Sequence, residues 1–100
     1  MERTRLISDY HEQFTIFYER ASQYSKLLSE KHIVDDALDK ERLKLTYTFY
    51  RDILNNIDAT PWFEIIKWTK ELKKEIKHLE NNLKIEYYLD IIFSIMFYLM

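Results

Sequence analysis

The chain has 100 residues, no glycine, no cysteine and one proline, and its net charge is -2. Without cysteine it has no disulfides or thiolate metal sites, and without glycine it lacks the usual phosphate-binding loops, which need residues without a Cβ. Its charge gives no bulk attraction to nucleic acid or acidic lipid. The length predicts one domain over 1–100, and the scarcity of turn residues favours long helices with short connections.

The first predicted helix carries apolar residues at alternating intervals of three and four, which indicates one buried face. Polar residues follow this stripe, so we expect a turn at about 32–34, with Asp35 or Asp36 capping the next helix. A single bent helix running through this region is the alternative. The stripe consists of Ile7, Tyr10, Phe14, Phe17, Ala21, Tyr24 and Leu28.

The second predicted helix has two adjacent apolar stripes, and a face this broad predicts contact with two neighbours in a bundle. It ends near Asn55 and Asn56, where asparagine can take the left-handed conformation that glycine usually supplies. One stripe is Leu43, Tyr47, Tyr50, Leu54 and Ile57, and the other is Val34, Leu38, Leu45, Phe49 and Ile53.

The third predicted helix begins with Thr60 as N-cap and Pro61 at the first helical position. It has its own regular stripe, which ends at Leu83. The spacing between members again alternates between three and four, as in a bundle helix with one buried face. The members are Trp62, Ile65, Thr69, Leu72, Ile76, Leu79 and Leu83.

The apolar pattern then slips by one residue, which rotates the stripe by about 100° around a helix. Glu86 and Asp90 occupy the expected apolar positions, and the slip lies beside Asn81-Asn82. We therefore predict a fourth helix over 83–99, with one long kinked helix as the alternative. The predicted fold is all-α, an antiparallel bundle of four helices or of three with a kinked C-terminal helix. The new stripe is Ile85, Tyr88, Ile92, Ile95 and Leu99.

Residues that could support catalysis or metal binding are sparse. Glu75 and His78 form a single Glu-x-x-His, whereas di-iron bundles need that motif twice with two further carboxylates. The serines and histidines form no nucleophile–base pattern. We predict that the protein is not an enzyme and has no catalytic residue, cofactor or metal site.

The last ten residues, Ile91 to Met100, contain one polar residue, Ser94. A membrane span needs about 20 apolar residues, so this run predicts no span. A helix that is apolar on every side needs neighbours on every side, and aromatic residues are enriched in interface cores. The predicted partner-binding residues are Phe93, Phe97, Tyr98, Met100, Trp62 and Trp68.

These features predict a small soluble helical protein that binds another protein as an inhibitor or adaptor. Phage anti-defence proteins and bacteriocin immunity proteins are examples of this class by size and style, and no motif ties the chain to either. The frequent Ile, Lys, Tyr and Asn are typical of AT-rich genomes and favour a bacterial or phage source.

Two alternatives remain open. One is a homodimer or larger homo-oligomer with a coiled-coil seam and a structural role. The other is weak nucleic-acid binding through the face that carries Lys67, Lys70, Lys74 and Lys77, which interleaved glutamates disfavour. Charges near the N-terminus, where the apolar region of a signal peptide would lie, predict a cytoplasmic protein.

Overall fold

The computed structural model describes residues 2–31 and 36–99, with side chains for all of these except 30, 31, 36–38, 86–91, 93 and 97. This part of the chain is all-α, as predicted, with three long helices, one short 3₁₀-helix and no strand. The long helices are α1 (Arg3–Lys31), α2 (Asp36–Asn55) and α3 (Trp62–Leu99), and the 3₁₀-helix spans Ile57–Ala59. The turn predicted at 32–34 lies outside the described residues.

Helix α1 packs against both α2 and α3, and its contacts show the directions in which these two helices run. The Phe14 and Tyr47 ring centroids lie 5.6 Å apart, and the Tyr10 hydroxyl donates a hydrogen bond to the Tyr50 carbonyl oxygen. Because the earlier residue of α1 contacts the later residue of α2, the two helices are antiparallel. Arg3, at the start of α1, donates a hydrogen bond to the Ile57 carbonyl oxygen, just before α3. Farther along both helices, Nε of Arg20 lies 3.2 Å from Oε1 of Glu80. Helix α3 is therefore parallel to α1 and antiparallel to α2.

The predicted stripes of α1 and α3 supply most of the core. Burial of each large apolar side chain stabilises the fold by about 1.5–3 kcal/mol. The buried Tyr10 hydroxyl donates to the Tyr50 carbonyl oxygen at 2.6 Å, and buried Thr69 donates to the Ile65 carbonyl oxygen at 2.6 Å. The Tyr10 and Thr69 hydroxyls within the core are thus paired. The fully buried side chains are Tyr10, Phe17, Ile65 and Leu72.

The predicted separate fourth helix over 83–99 is wrong. The alternative was one long kinked helix, and its continuity is confirmed, since a single helix runs through this region. Helix α3 passes through Asn81-Asn82 without interruption. Nδ2 of Asn82 lies 3.3 Å from Nε2 of His78, so this amide finds a partner one turn earlier within the helix. The 38 residues of α3 make a helix about 57 Å long, close to the 60 Å length of the whole molecule.

The predicted capping of the α2–α3 connection is also wrong. Asn56 has φ -112°, outside the left-handed region, and its Nδ2 donates to the Asp52 carbonyl oxygen at 3.0 Å. The Thr60 hydroxyl donates back to the Asn56 carbonyl oxygen at 2.8 Å and does not cap α3. Thr60 is extended because the following Pro61 disfavours a helical conformation there, and α3 begins at Trp62.

Candidate functional site

The last two turns of α3 extend beyond the described end of α1. Helix α1 ends at Lys31, 11 residues after Arg20, and the position 11 residues after Glu80 is 91. Because the two helices are parallel and rise equally per residue, residues 92–99 extend roughly 12 Å past α1. We call residues 92–99 the α3 end.

The described side chains of the α3 end are exposed although nearly all are apolar. Exposure reaches 89% for Tyr98 and 82% for Leu99, and Ser94 is the polar residue among them. Contiguous exposed apolar surface of this kind marks interaction sites. The exposed apolar side chains are Ile92, Ile95, Met96, Tyr98 and Leu99.

The slip in the apolar pattern explains why this exposure begins before α1 ends. Leu83 is still half-buried, whereas Ile85 is exposed. Since α3 is continuous, the one-residue slip turns the stripe by about 100° away from the face that packs on α1. Among the described side chains, the first stripe of α3 is buried from Ile65 to Leu79, whereas Ile85, Ile92, Ile95 and Leu99 of the second stripe are exposed.

A second apolar surface lies between α2 and α3. These two helices contact α1 far more than each other, which leaves a shallow groove between them. Its apolar wall consists of Leu45, Phe49 and Ile53 from α2 and Trp68 from α3. The Phe49 and Trp68 rings meet edge to face with centroids 4.9 Å apart. We call this surface the α2–α3 groove.

The charged side chains that line the α2–α3 groove are Asp52, Glu64 and Glu75, all acidic. Asp52 Oδ1 lies 4.0 Å from Nη2 of Arg51. In the part of the chain that the structure describes, Glu64 and Glu75 have no ion-pair partner. Burial, and after it the nearby carboxylates of Glu75 and Glu71, raise the pKa of Tyr50, at the base of the groove, to about 12.

The predicted partner-binding residues do not form one site. Tyr98 lies on the α3 end, whereas Phe93, Phe97 and Met100 lie outside the described side chains. Trp62 is 57% exposed but lies at the opposite end of α3, with its ring edge to face with Phe63. Trp68 is half-buried in the wall of the α2–α3 groove.

The α2 residues of the groove were missed as a binding surface. Their signal in the sequence was the second stripe of α2, which predicted a second neighbouring helix. Of the described residues of this stripe, Ile53 packs against the core and Phe49 contacts Trp68 of α3, whereas Leu45 is 62% exposed. The second neighbour of α2 is therefore α3, which leaves Leu45 uncovered.

The lysine face of α3 is partly engaged in local contacts. Nζ of Lys67 lies 4.8 Å from the centroid of the Trp68 ring. Nζ of Lys74 lies 3.3 Å from Oε1 of Glu71. Two lysines of this face, Lys67 and Lys74, therefore already contact an aromatic or an acidic side chain of the same helix.

Among the described residues, no group of three or more histidine, aspartate or glutamate side chains lies close enough together to hold a metal ion. Within the same residues, no helix has the length and apolar character to cross a membrane. No family model, curated protein or solved structure matches the chain. We therefore infer a function from the two exposed apolar surfaces, the α3 end and the α2–α3 groove.

Proposed function

We propose that the protein functions by binding another protein, as an inhibitor or adaptor, through the α3 end. The observation that supports this proposal is the exposure of five large apolar side chains beyond the bundle. Burying such surface gains about 25 cal/mol for each Å² removed from water. Aromatic residues and methionine, which include Tyr98 and Met96, are enriched in the cores of protein interfaces.

A second candidate is self-association through the same surface. The spacing of Ile85, Tyr88, Ile92, Ile95 and Leu99 is that of a coiled-coil seam, and a second copy would present the same seam. Isoleucine at both seam positions favours more than two strands. The protein would then have a structural role as a homo-oligomer.

Site-specific photocrosslinking tests both candidates in cells that naturally produce the protein. A photoreactive phenylalanine replaces Tyr98, and the matched control places it at Glu12, an exposed position on α1. We expect one discrete product from position 98 and none from position 12. A product of twice the 12.4 kDa chain mass indicates self-association, and any other mass indicates a different protein.

A double substitution in the α3 end supplies the specificity control. Ile92→Asp with Ile95→Asp should abolish the product, because carboxylates in an interface core are poorly desolvated. Both side chains are exposed, so the helical content of the variant should equal that of the original chain. The absence of a product from position 98, or the same products from both positions, contradicts the proposal.

A further inference from the structure

We propose that the α2–α3 groove is a second protein-binding surface, and that it binds an amphipathic helix whose apolar stripe is flanked by lysine or arginine. This surface lies on the bundle and is separate from the α3 end. A protein with both surfaces could hold two partners at once, as an adaptor does.

The apolar wall of the groove has the form that a helix requires. Leu45, Phe49 and Ile53 follow each other at intervals of four, over about 12 Å of α2. Two shallow depressions lie along this wall and share Phe49. Anchors spaced at three and four residues on a partner helix fit a wall of this kind.

The charges of the groove select the chemistry of that helix. Every charged residue in its lining is acidic, and Glu64 and Glu75 have no ion-pair partner among the described residues. Basic flanks on a partner helix would complement these carboxylates, whereas acidic flanks would be repelled.

The same charges argue against a second copy of this chain in the groove. In the sequence, Glu86 and Asp90 precede the α3 end, and no basic residue follows Lys84. Docking that segment would bring two carboxylates to an acidic surface. A foreign helix with basic flanks avoids this repulsion.

Two labelled peptides of about 18 residues, five helical turns, test the charge selection. One has a leucine stripe flanked by lysines, and the other has glutamate in place of every lysine. Fluorescence anisotropy follows each peptide as the full chain is added at low salt. We expect the basic peptide to bind at least about tenfold more tightly, and added salt to weaken it.

Matched substitutions test the location. Leu45→Lys, in the groove, should weaken binding of the basic peptide about tenfold or more, as loss of an interface anchor does. Ile92→Lys, on the α3 end, adds the same charge and should leave binding unchanged. Glu75→Lys alters only the charge of the groove wall and should also weaken binding. Leu45 and Ile92 are both at least half exposed, so neither change removes a core side chain.

Four results would overturn the proposal for the groove. They are equal binding of the two peptides, no binding up to about 1 mM, insensitivity to Leu45→Lys, and a homo-oligomer that Leu45→Lys converts to monomer. If only Ile92→Lys weakens binding of the basic peptide, the peptide binds at the α3 end, and this result is consistent with the proposed function. Groove binding together with no crosslink from position 98 would remove only the proposed function.

Discussion

The two halves of α3 each carry an apolar stripe with the same spacing, yet the two stripes have opposite surroundings. In the first half, Ile65 and Leu72 have no exposed surface, because α1 runs alongside them. In the second half, Ile92 and Leu99 follow the same three-and-four spacing and remain exposed. Spacing therefore determines which residues share a face, whereas burial depends on whether another element is long enough to cover it.

The largest expected effect comes from one substitution made in each half. Leu72→Ala should lower the free energy of unfolding by about 2–5 kcal/mol, because it leaves a cavity in the core. Leu99→Ala removes the same atoms from a side chain that is 82% exposed, and should change stability by less than about 0.5 kcal/mol. Urea unfolding followed by circular dichroism measures both.

The concentration dependence of this pair separates a free α3 end from a self-associated one. If Leu99→Ala destabilises the protein more strongly at higher protein concentration, a second copy covers the α3 end. An effect as large as that of Leu72→Ala at every concentration would contradict the exposure of Leu99 in the single chain.

A smaller effect is expected at alkaline pH, from two tyrosines of the packed body. Burial raises the pKa of Tyr10 and that of Tyr50, the latter to about 12, above the ordinary value near 10. Between these values the unfolded chain loses protons that the folded chain keeps, so stability should fall as pH rises. The slope is about 1.4 kcal/mol per pH unit for each tyrosine.

Unfolding by urea at a series of pH values from 9 to about 12 checks this slope, because the range begins below the ordinary tyrosine pKa and reaches the raised pKa of Tyr50. Tyr10→Phe should remove about half of it and should cost about 1 kcal/mol at neutral pH, through loss of the bond to the Tyr50 carbonyl. Tyr98→Phe, on the α3 end, should reproduce the original curve. A slope unchanged by Tyr10→Phe would contradict the burial of that hydroxyl.

The smallest effect concerns how the start of α3 is held to the bundle. Nη2 of Arg3 lies 2.7–2.9 Å from the carbonyl oxygens of Ile57, Asp58 and Thr60, which connects α1 to the segment before α3. Arg3→Ala should destabilise the protein by about 1 kcal/mol. Arg5→Ala changes an exposed arginine nearby and should have no measurable effect in the same thermal melts. Equal effects of the two changes would show that the three bonds contribute nothing.

The sequence predicted the helices and their buried faces well. The α1 stripe is buried or half-buried at every position from Ile7 to Leu28, and α3 buries its stripe from Ile65 to Leu79. These predictions succeed because helical periodicity fixes which side chains share a face. The break at 55–61 was also found, whereas its capping was not, because Thr60 and Asn56 had alternative backbone partners nearby.

The candidate binding surfaces were predictable only in part. Tyr98 was identified from an apolar ending that no helix of a small bundle could enclose. Leu45 and Phe49 were not identified as binding residues, because the sequence pattern of an apolar stripe is the same whether or not a neighbouring helix covers it. Their exposure follows from the positions of α1 and α3, which periodicity along one helix does not specify.

By itself, the sequence determined that this protein is helical, where most of its helices lie and which faces are apolar, since all three follow from local periodicity and the lack of glycine. Only the tertiary structure decided that α3 continues through Asn81-Asn82, that α1 ends near the level of residue 91, and that α2 and α3 contact each other less than each contacts α1. The physical reason is that burial depends on the lengths and relative positions of separate helices. Those positions leave the α3 end and the α2–α3 groove open.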